Sequence, residues 1–330
     1  MTYVRRCLAA LVWIGSTALA NETGDWSELN HWQDPVDISQ QSHIVVYGDM
    51  RFTDTTEHEA SVPGARRALV AAIADENPAA VFLTGDIPWH GGNLADYAVF
   101  KQETQAWQES HIAVWPVLGN HEFQQCAESV CLENWWQTFP RLRGKRYYSV
   151  DVAPSLTVVA LDSNDSLLDG SVQRRWLTDT LQHVRASTRF VLLLLHHPPV
   201  ADVASGALAS HNARPNEAAL AQAIAAATQA YPSLRFVVIA GHIHNYEHLE
   251  RNGVVYLVSG GGGAKPYPVE RSADDLYLGP EALNFHYLNV TVLSARLRIE
   301  MRRLTDPLTP QAHWFSVADQ IEIPAASQNP

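Results

Sequence analysis

Apolar positions along this chain fall mostly in short continuous runs rather than in strict alternation. Runs rich in β-branched residues recur at His43–Tyr47, Ala80–Thr84, Ile112–Leu118, Leu156–Leu161, Phe190–Leu195, Phe236–Ala240 and Val254–Ser259. Short runs of this kind, bounded by Gly, Pro, Asn or Asp, predict strands buried on both faces. Between several of them the apolar residues return with helical period, over Ala65–Ala74, Leu94–Gln108, Val172–Val184 and Asn216–Ala230. Strands alternating with helices define an α/β domain. Phe285–Leu293 and Arg296–Arg303 then predict paired strands around a Ser294-Ala295 turn. The helix-poor final third predicts a mixed sheet, or a second sheet packed on the first.

The two ends read differently. Arg5 and Arg6 precede an apolar run from Cys7 to Ile14 and then Ala18-Leu19-Ala20. That is the pattern of a secretory signal peptide over residues 1–20. A membrane anchor needs about 20 apolar residues, and Gly15, Ser16 and Thr17 interrupt this run. The expectation is an exported protein, periplasmic or extracellular, with no stable membrane anchor. Residues 21–41 form a polar lead-in, 42–305 one domain, and 306–330, punctuated by Pro307, Pro310 and Pro324, a C-terminal tail.

Composition sharpens this picture. A hydrophobic fraction of 46% with 18% charged residues in 330 supports a sizeable core and excludes a disordered chain. The net charge of −12 argues against a non-specific nucleic-acid or anionic-membrane binder, which would need a cationic face. Of the three cysteines, Cys126 and Cys131 lie beyond the leader. In an exported chain they predict a disulfide closing a small loop. The alternative, a metal pair, lacks further thiols nearby. The 15 histidines direct attention to metal and acid–base chemistry.

That chemistry sits at the strand ends. They read Gly48-Asp49, Gly85-Asp86, Gly119-Asn120-His121-Glu122, His196-His197-Pro198-Pro199 and Gly241-His242-Ile243-His244. Ligands of open α/β sheets gather at the carboxyl ends of strands. One Asp there is ordinarily a cap or turn residue, and one His a satisfied polar group. Five such ends in succession, each after an apolar strand, are not explained as caps. Two Asp, an Asn carbonyl and three His make a mixed N/O set that suits Zn, Mn or Fe rather than Ca or soft copper. Two such ions would outweigh Asp49 and Asp86 and leave a locally positive site for a hydroxide and a phosphate. Two ions about 3.5–4 Å apart activate water and clamp an in-line displacement. The reaction class is metal-assisted hydrolysis, with a phosphate ester as leading substrate.

The ordered set GD, GD, GNHE, H-x-P and GHxH resembles the calcineurin-like metallophosphoesterases, including the purple acid phosphatases, over about residues 43–248. Tyr256–Ala264, YLVSGGGGA, is similar to that family as well. The resemblance implies a four-layer α/β/β/α sandwich of two mixed β-sheets flanked by helices, with a binuclear site at its rim. It implies that Asp49 and His244 bind the first metal, that Asp86 bridges, and that Asn120, His196 and His242 bind the second. His121 then faces the leaving-group oxygen as proton donor or electrostatic stabiliser. His197 is the rival of His196. Alternation along a strand lets only one of them face the metals, and the H-x-P pattern selects His196. The function so implied is hydrolysis of small phosphomonoesters. A phosphodiesterase or nucleotide hydrolase, and a non-catalytic phosphate-binding relative, are the alternatives. Oligomeric state is not legible.

Two positions depart from the family pattern. Where many members have His two residues after the first Asp, this chain has Arg51. Where purple acid phosphatases have a tyrosine ligand, it has Trp89, whose indole N–H only donates. The first metal therefore keeps three protein ligands and is expected to bind more weakly, without a purple tyrosinate colour. Arg51, repelled by a metal, is expected to point outward, gripping a phosphate oxygen or pairing with a loop carboxylate. His90 is a substrate-loop candidate, and Trp135 and Trp136 read as packing.

Overall fold

The computed structural model describes residues 30–32, 43–54, 56–202, 206–268, 270–279, 283–293 and 295–326. The predicted signal peptide lies outside them, as does Ser294. Two sheets carry the fold. In the six-stranded sheet, β2 (His43–Tyr47), β3 (Ala80–Leu83) and β4 (Ala113–Pro116) run parallel. They continue into the antiparallel β11 (His286–Leu293), β12 (Arg296–Leu304) and β13 (Phe315–Pro324), in the order β13-β12-β11-β2-β3-β4. The seven-stranded sheet contains β1 (His31–Trp32), β5 (Tyr148–Ala153), β6 (Leu156–Ala160), β7 (Phe190–Leu195), β8 (Arg235–Ala240), β9 (Tyr246–Arg251) and β10 (Val254–Ser259). Its order is β1-β5-β6-β7-β8-β10-β9, with β6, β7, β8 and β10 parallel.

Strand β7 shows why its sequence is continuously apolar. Leu192 and Leu194 join the core between the sheets, while Val191, Leu193 and Leu195 join a second core. That second core is completed by α5 (Val172–Gln182), through Trp176 and Leu177, and α6 (Pro215–Ala230), through Leu220 and Ile224. On the other sheet, α1 (Pro63–Glu76) contributes Ala65, Leu69 and Ile73. The layers are those of the α/β/β/α sandwich.

Four local differences from the sequence expectation have physical causes. The predicted helix over Leu94–Gln108 divides at Thr104 into α2 (Leu94–Glu103) and α3 (Gln105–Glu109), where the Thr104 hydroxyl bonds the Phe100 carbonyl. The cysteine loop contains α4 (Glu128–Thr138), tied by the predicted Cys126–Cys131 disulfide. The lead-in supplies β1, whose Trp32 packs edge-on against Trp115 and Tyr148. The segment read as a proline-rich tail contains β13. Ser316, Gln320 and Glu322 are exposed and break up its apolar content, so the strand hides in the composition, while Ile321 and Ile323 are buried in the core.

Candidate metal centre

The loops leaving β2, β3, β4, β7 and β8 meet at one edge of the two sheets. Backbone bonds hold them in register: Asp49 N–H donates to the Gly85 carbonyl (3.1 Å), Arg51 N–H to that of Asp86 (2.9 Å) and Gly241 N–H to that of His196 (3.0 Å). The turns are tight. Asp49, Arg51, Asp86 and His242 all have left-handed backbone, with φ of 65°, 48°, 54° and 73°. Non-glycine residues adopt that region only where their surroundings over-determine it, and such positions cluster at functional sites. Gly119 is required here, since a Cβ would lie 2.4 Å from the Asp86 nitrogen. Gly262, in the glycine run, allows its backbone to approach the Gly48 carbonyl, which a Cβ would meet at 2.2 Å.

One donor group forms around Asn120. Nδ1 of the buried His196 bonds the Thr84 carbonyl at 2.9 Å, so that nitrogen carries the proton and Nε2 presents a lone pair. Nε2 lies 2.9 Å from Asn120 Oδ1, 3.2 Å from Asp86 Oδ1 and 3.3 Å from His242 Nδ1. His242 Nδ1 is also 3.1 Å from Asn120 Oδ1. Acceptors crowd together here with too few protons to share. A cation resolves that arrangement, and the donors suit Zn, Mn or Fe.

The other group is Asp49, Asp86 and His244, whose candidate ligand atoms lie within 4.8 Å of one another. His244 Nδ1 bonds the Lys265 carbonyl at 2.7 Å, and its buried Nε2 has no hydrogen-bond partner. Nε2 stands 3.6 Å from Asp49 Oδ1. Burial, reinforced by the Asp86 carboxylate, pushes the Asp49 carboxyl well above its usual range. At Asp86 burial acts in the same sense but is outweighed by His196, His121 and Arg51, which hold it well below. An orphaned imidazole nitrogen beside a destabilised carboxylate fits a cation here too.

His121 lies beside this pair. Its Nδ1 bonds the Trp89 carbonyl at 2.6 Å and its Nε2 is 3.7 Å from Asp86 Oδ2. Burial lowers its pKa to about 4. Arg51 does not point outward. Its side chain is 11% exposed, and Nη2 and Nε approach Asp86 Oδ2 at 3.1 and 3.3 Å. The left-handed turn at Arg51 aims the side chain back into the site. His197 also departs from the alternation argument, because both it and His196 lie beyond the last residue of β7. Its ring is 4.4 Å from that of His242, and its Nδ1 pairs with Ser163 Oγ at 2.8 Å. His90 stays outside both groups, its N–H bonded to Asp96. Trp135 is in the core, and Trp136 bonds the Lys145 carbonyl.

Two residues without an assigned role in the sequence belong to this architecture. The buried Glu122 accepts the backbone N–H groups of Asp86 (3.0 Å), Ile87 (2.9 Å) and Gly119 (2.7 Å), tying the β3 and β4 loops together. Its place in GNHE was the only available signal. Tyr267 stacks on His244 with centroids 4.0 Å apart and bonds Arg51 through its side chain. No local pattern marked it.

A family model described as calcineurin-like phosphoesterase matches residues 26–246. The chain belongs to that family. Among solved structures, this chain is similar to purple acid phosphatase PPD1 from yellow lupin (Lupinus luteus) seeds. The identity is 19% and the TM-score 0.69, over 88% of this chain and 55% of that one. A dimetal phosphatase from Danio rerio gives 14% identity and a TM-score of 0.58, over 88% and 100% of the two chains. PhoD gives 14% and 0.59, over 88% and 72%. These likenesses show the fold. The chain spans 55% of the length of the lupin protein. No curated protein matches its sequence.

Proposed function

We propose that this phosphoesterase hydrolyses small phosphomonoesters at a site built for two metal ions, and that it works outside the cytoplasm. One observation carries the reading. Asn120 Oδ1, His196 Nε2 and His242 Nδ1 converge within 3.3 Å, beside an Asp49–Asp86–His244 group whose buried imidazole Nε2 has no partner. Ions of the Fe, Mn or Zn class bound there would supply Lewis-acid polarisation of the phosphoryl oxygens and a nucleophilic water at neutral pH. Asp49, Asp86 and His244 would hold one ion, and Asp86, Asn120, His196 and His242 the other. With two carboxylates among the ligands the site stays positive, which favours a dianionic monoester over a monoanionic diester.

The chain's own groups then act on the substrate. His121 keeps the proton of Nδ1 on the Trp89 carbonyl, so it donates from Nε2 only after protonation there. A bound phosphate dianion raises its pKa from the low value set by burial. The charged imidazole then faces the leaving oxygen. Beside Asn120 a cleft lined by Phe123, Glu128, Arg146 and Asn164 offers room for a hydrophilic leaving group. Arg146 is fixed there between Asp162 and Glu128, at 2.7 and 2.6 Å. The Cys126–Cys131 disulfide supports an oxidising compartment. Among the described residues no helix is long and apolar enough to cross a membrane.

The test is release of p-nitrophenol from mono- and bis-p-nitrophenyl phosphate with added Mn or Zn. The monoester is expected to turn over faster. Preference for the diester would make the chain a phosphodiesterase. Turnover of neither, with metal shown to be bound, would make it a phosphate-binding relative.

A further inference from the structure

We propose that Arg51 is a built-in cation at the Asp49–Asp86–His244 pole, so that a second metal ion enters only in competition with its guanidinium. The centre then holds one ion tightly, at Asn120, His196, His242 and Asp86, and the other weakly. This rests on the metallophosphoesterase reading of the site and divides its two poles.

The two oxygens of Asp86 are already apportioned. Oδ1 faces His196 Nε2 at 3.2 Å and accepts the His121 N–H at 3.0 Å. Oδ2 takes Nη2 and Nε of Arg51, a forked charge-assisted contact. The guanidinium has two further neighbours. Its carbon lies 5.3 Å from the Trp89 ring centroid, and its side chain bonds Tyr267, which stacks on His244. The backbone is pinned as firmly. Arg51 N–H donates to the Asp86 carbonyl, and the Arg51 carbonyl accepts Nη1 of the fully buried Arg66 at 3.3 Å. Arg66 is itself paired with Glu103 at 2.7 Å. Leaving Asp86 would cost Arg51 these contacts, and a divalent ion among Asp49, Asp86 and His244 arrives beside a positive charge already engaged there. Weak binding from a missing ligand alone would depend on residue 51 differently, because replacing Arg51 with a residue that cannot ligate would then change nothing.

The experiment uses the full-length protein, stripped with chelator and titrated with Mn(II) by equilibrium dialysis and electron paramagnetic resonance. The wild type is expected to retain one equivalent through dialysis, with the six-line signal of an isolated ion. Arg51→Gly, which suits the left-handed backbone and offers no ligand, is expected to bind the second equivalent at least tenfold tighter, with an exchange-coupled signal. Arg51→Lys, which keeps the charge, should resemble the wild type. Thermal melts of both variants confirm folding. Two equivalent ions in the wild type would overturn the proposal, as would a second-ion affinity unchanged in Arg51→Gly. His196→Ala should remove the first, tight equivalent. If it does not, the site reading itself fails, whatever Arg51 does.

Discussion

His121 is held by Trp89 in two ways at once. Its Nδ1 meets the Trp89 carbonyl at 2.6 Å, and its ring stacks on the indole with centroids 4.8 Å apart. The carbonyl sets the tautomer and the indole sets the plane, so Nε2 is aimed at Asp86. A role in proton transfer is worth about 10²- to 10⁴-fold, and His121→Ala is expected to lower kcat within that range. Trp89→Ala keeps the carbonyl and loses the stack, so kcat should fall about tenfold through misplacement of the imidazole, with KM little changed. Steady-state rates on p-nitrophenyl phosphate measure both. Wild-type rates in His121→Ala would remove it from the mechanism.

Metal binding should stabilise the fold, because the unfolded chain lacks the converged donors. At an ion concentration of about 100 times Kd the gain is about 2.7 kcal/mol per site. Chelation is therefore expected to lower the Tm by several degrees, and returning the ion to restore it. In Asn120→Ala and in His242→Ala the response of Tm to added ion should shrink, and turnover should drop with it. A melting curve indifferent to chelator in the wild type would contradict the donor assignment.

Glu122 accepts three backbone N–H groups from two loops, and an amide side chain cannot reproduce that. In Glu122→Gln one side-chain oxygen becomes an NH₂ that faces donors. An unsatisfied buried donor costs about 1–3 kcal/mol, so the Tm should fall by several degrees. The displaced Asp86 and Gly119 loops should also weaken metal binding. Unaltered Tm and metal affinity would show that the loops hold their positions without this carboxylate.

These contrasts show what the chain reveals about itself. The candidate metal donors were legible because each stands within a few residues of the end of an apolar strand, in a short motif. The parallel core strands were legible for the same reason. β9 was not, because an edge strand reading Tyr246-Glu247-His248 has too little apolar content to register. Glu122 contacts residues 35 and 36 positions away, so its role exists only after folding. The direction of Arg51 depends on a φ of 48°, which nothing in Gly48-Asp49-Met50-Arg51 announces. His196 and His197 both escaped the alternation rule, because they lie one and two residues beyond the end of their strand. The reach of Tyr267 back to His244 is set by a segment between Pro266 and Pro268 with no periodic signal.

Glu247, which belongs to neither donor group, offers a pH test of its own. It is buried on β9, and its Oε2 accepts the Asp202 N–H at 2.7 Å. Burial raises its pKa to about 8, aided by the Asp202 and Asp275 carboxylates and opposed by the Asp202 amide and Arg271. In the unfolded chain the group titrates near 4.5. Between those values the folded protein keeps a proton that the unfolded chain has released, so raising the pH favours unfolding. The stabilisation from the protonated form is complete below about pH 4.5 and is lost as pH rises through about 8. Glu247→Gln keeps a neutral side chain with a carbonyl for the Asp202 amide at every pH. Its Tm relative to wild type should therefore climb between pH 5 and pH 8 and level off above, ending several degrees higher at pH 9. Paired thermal melts across that range measure the difference directly. Parallel curves, with a constant offset at all pH values, would mean that Glu247 is ionised in the folded protein.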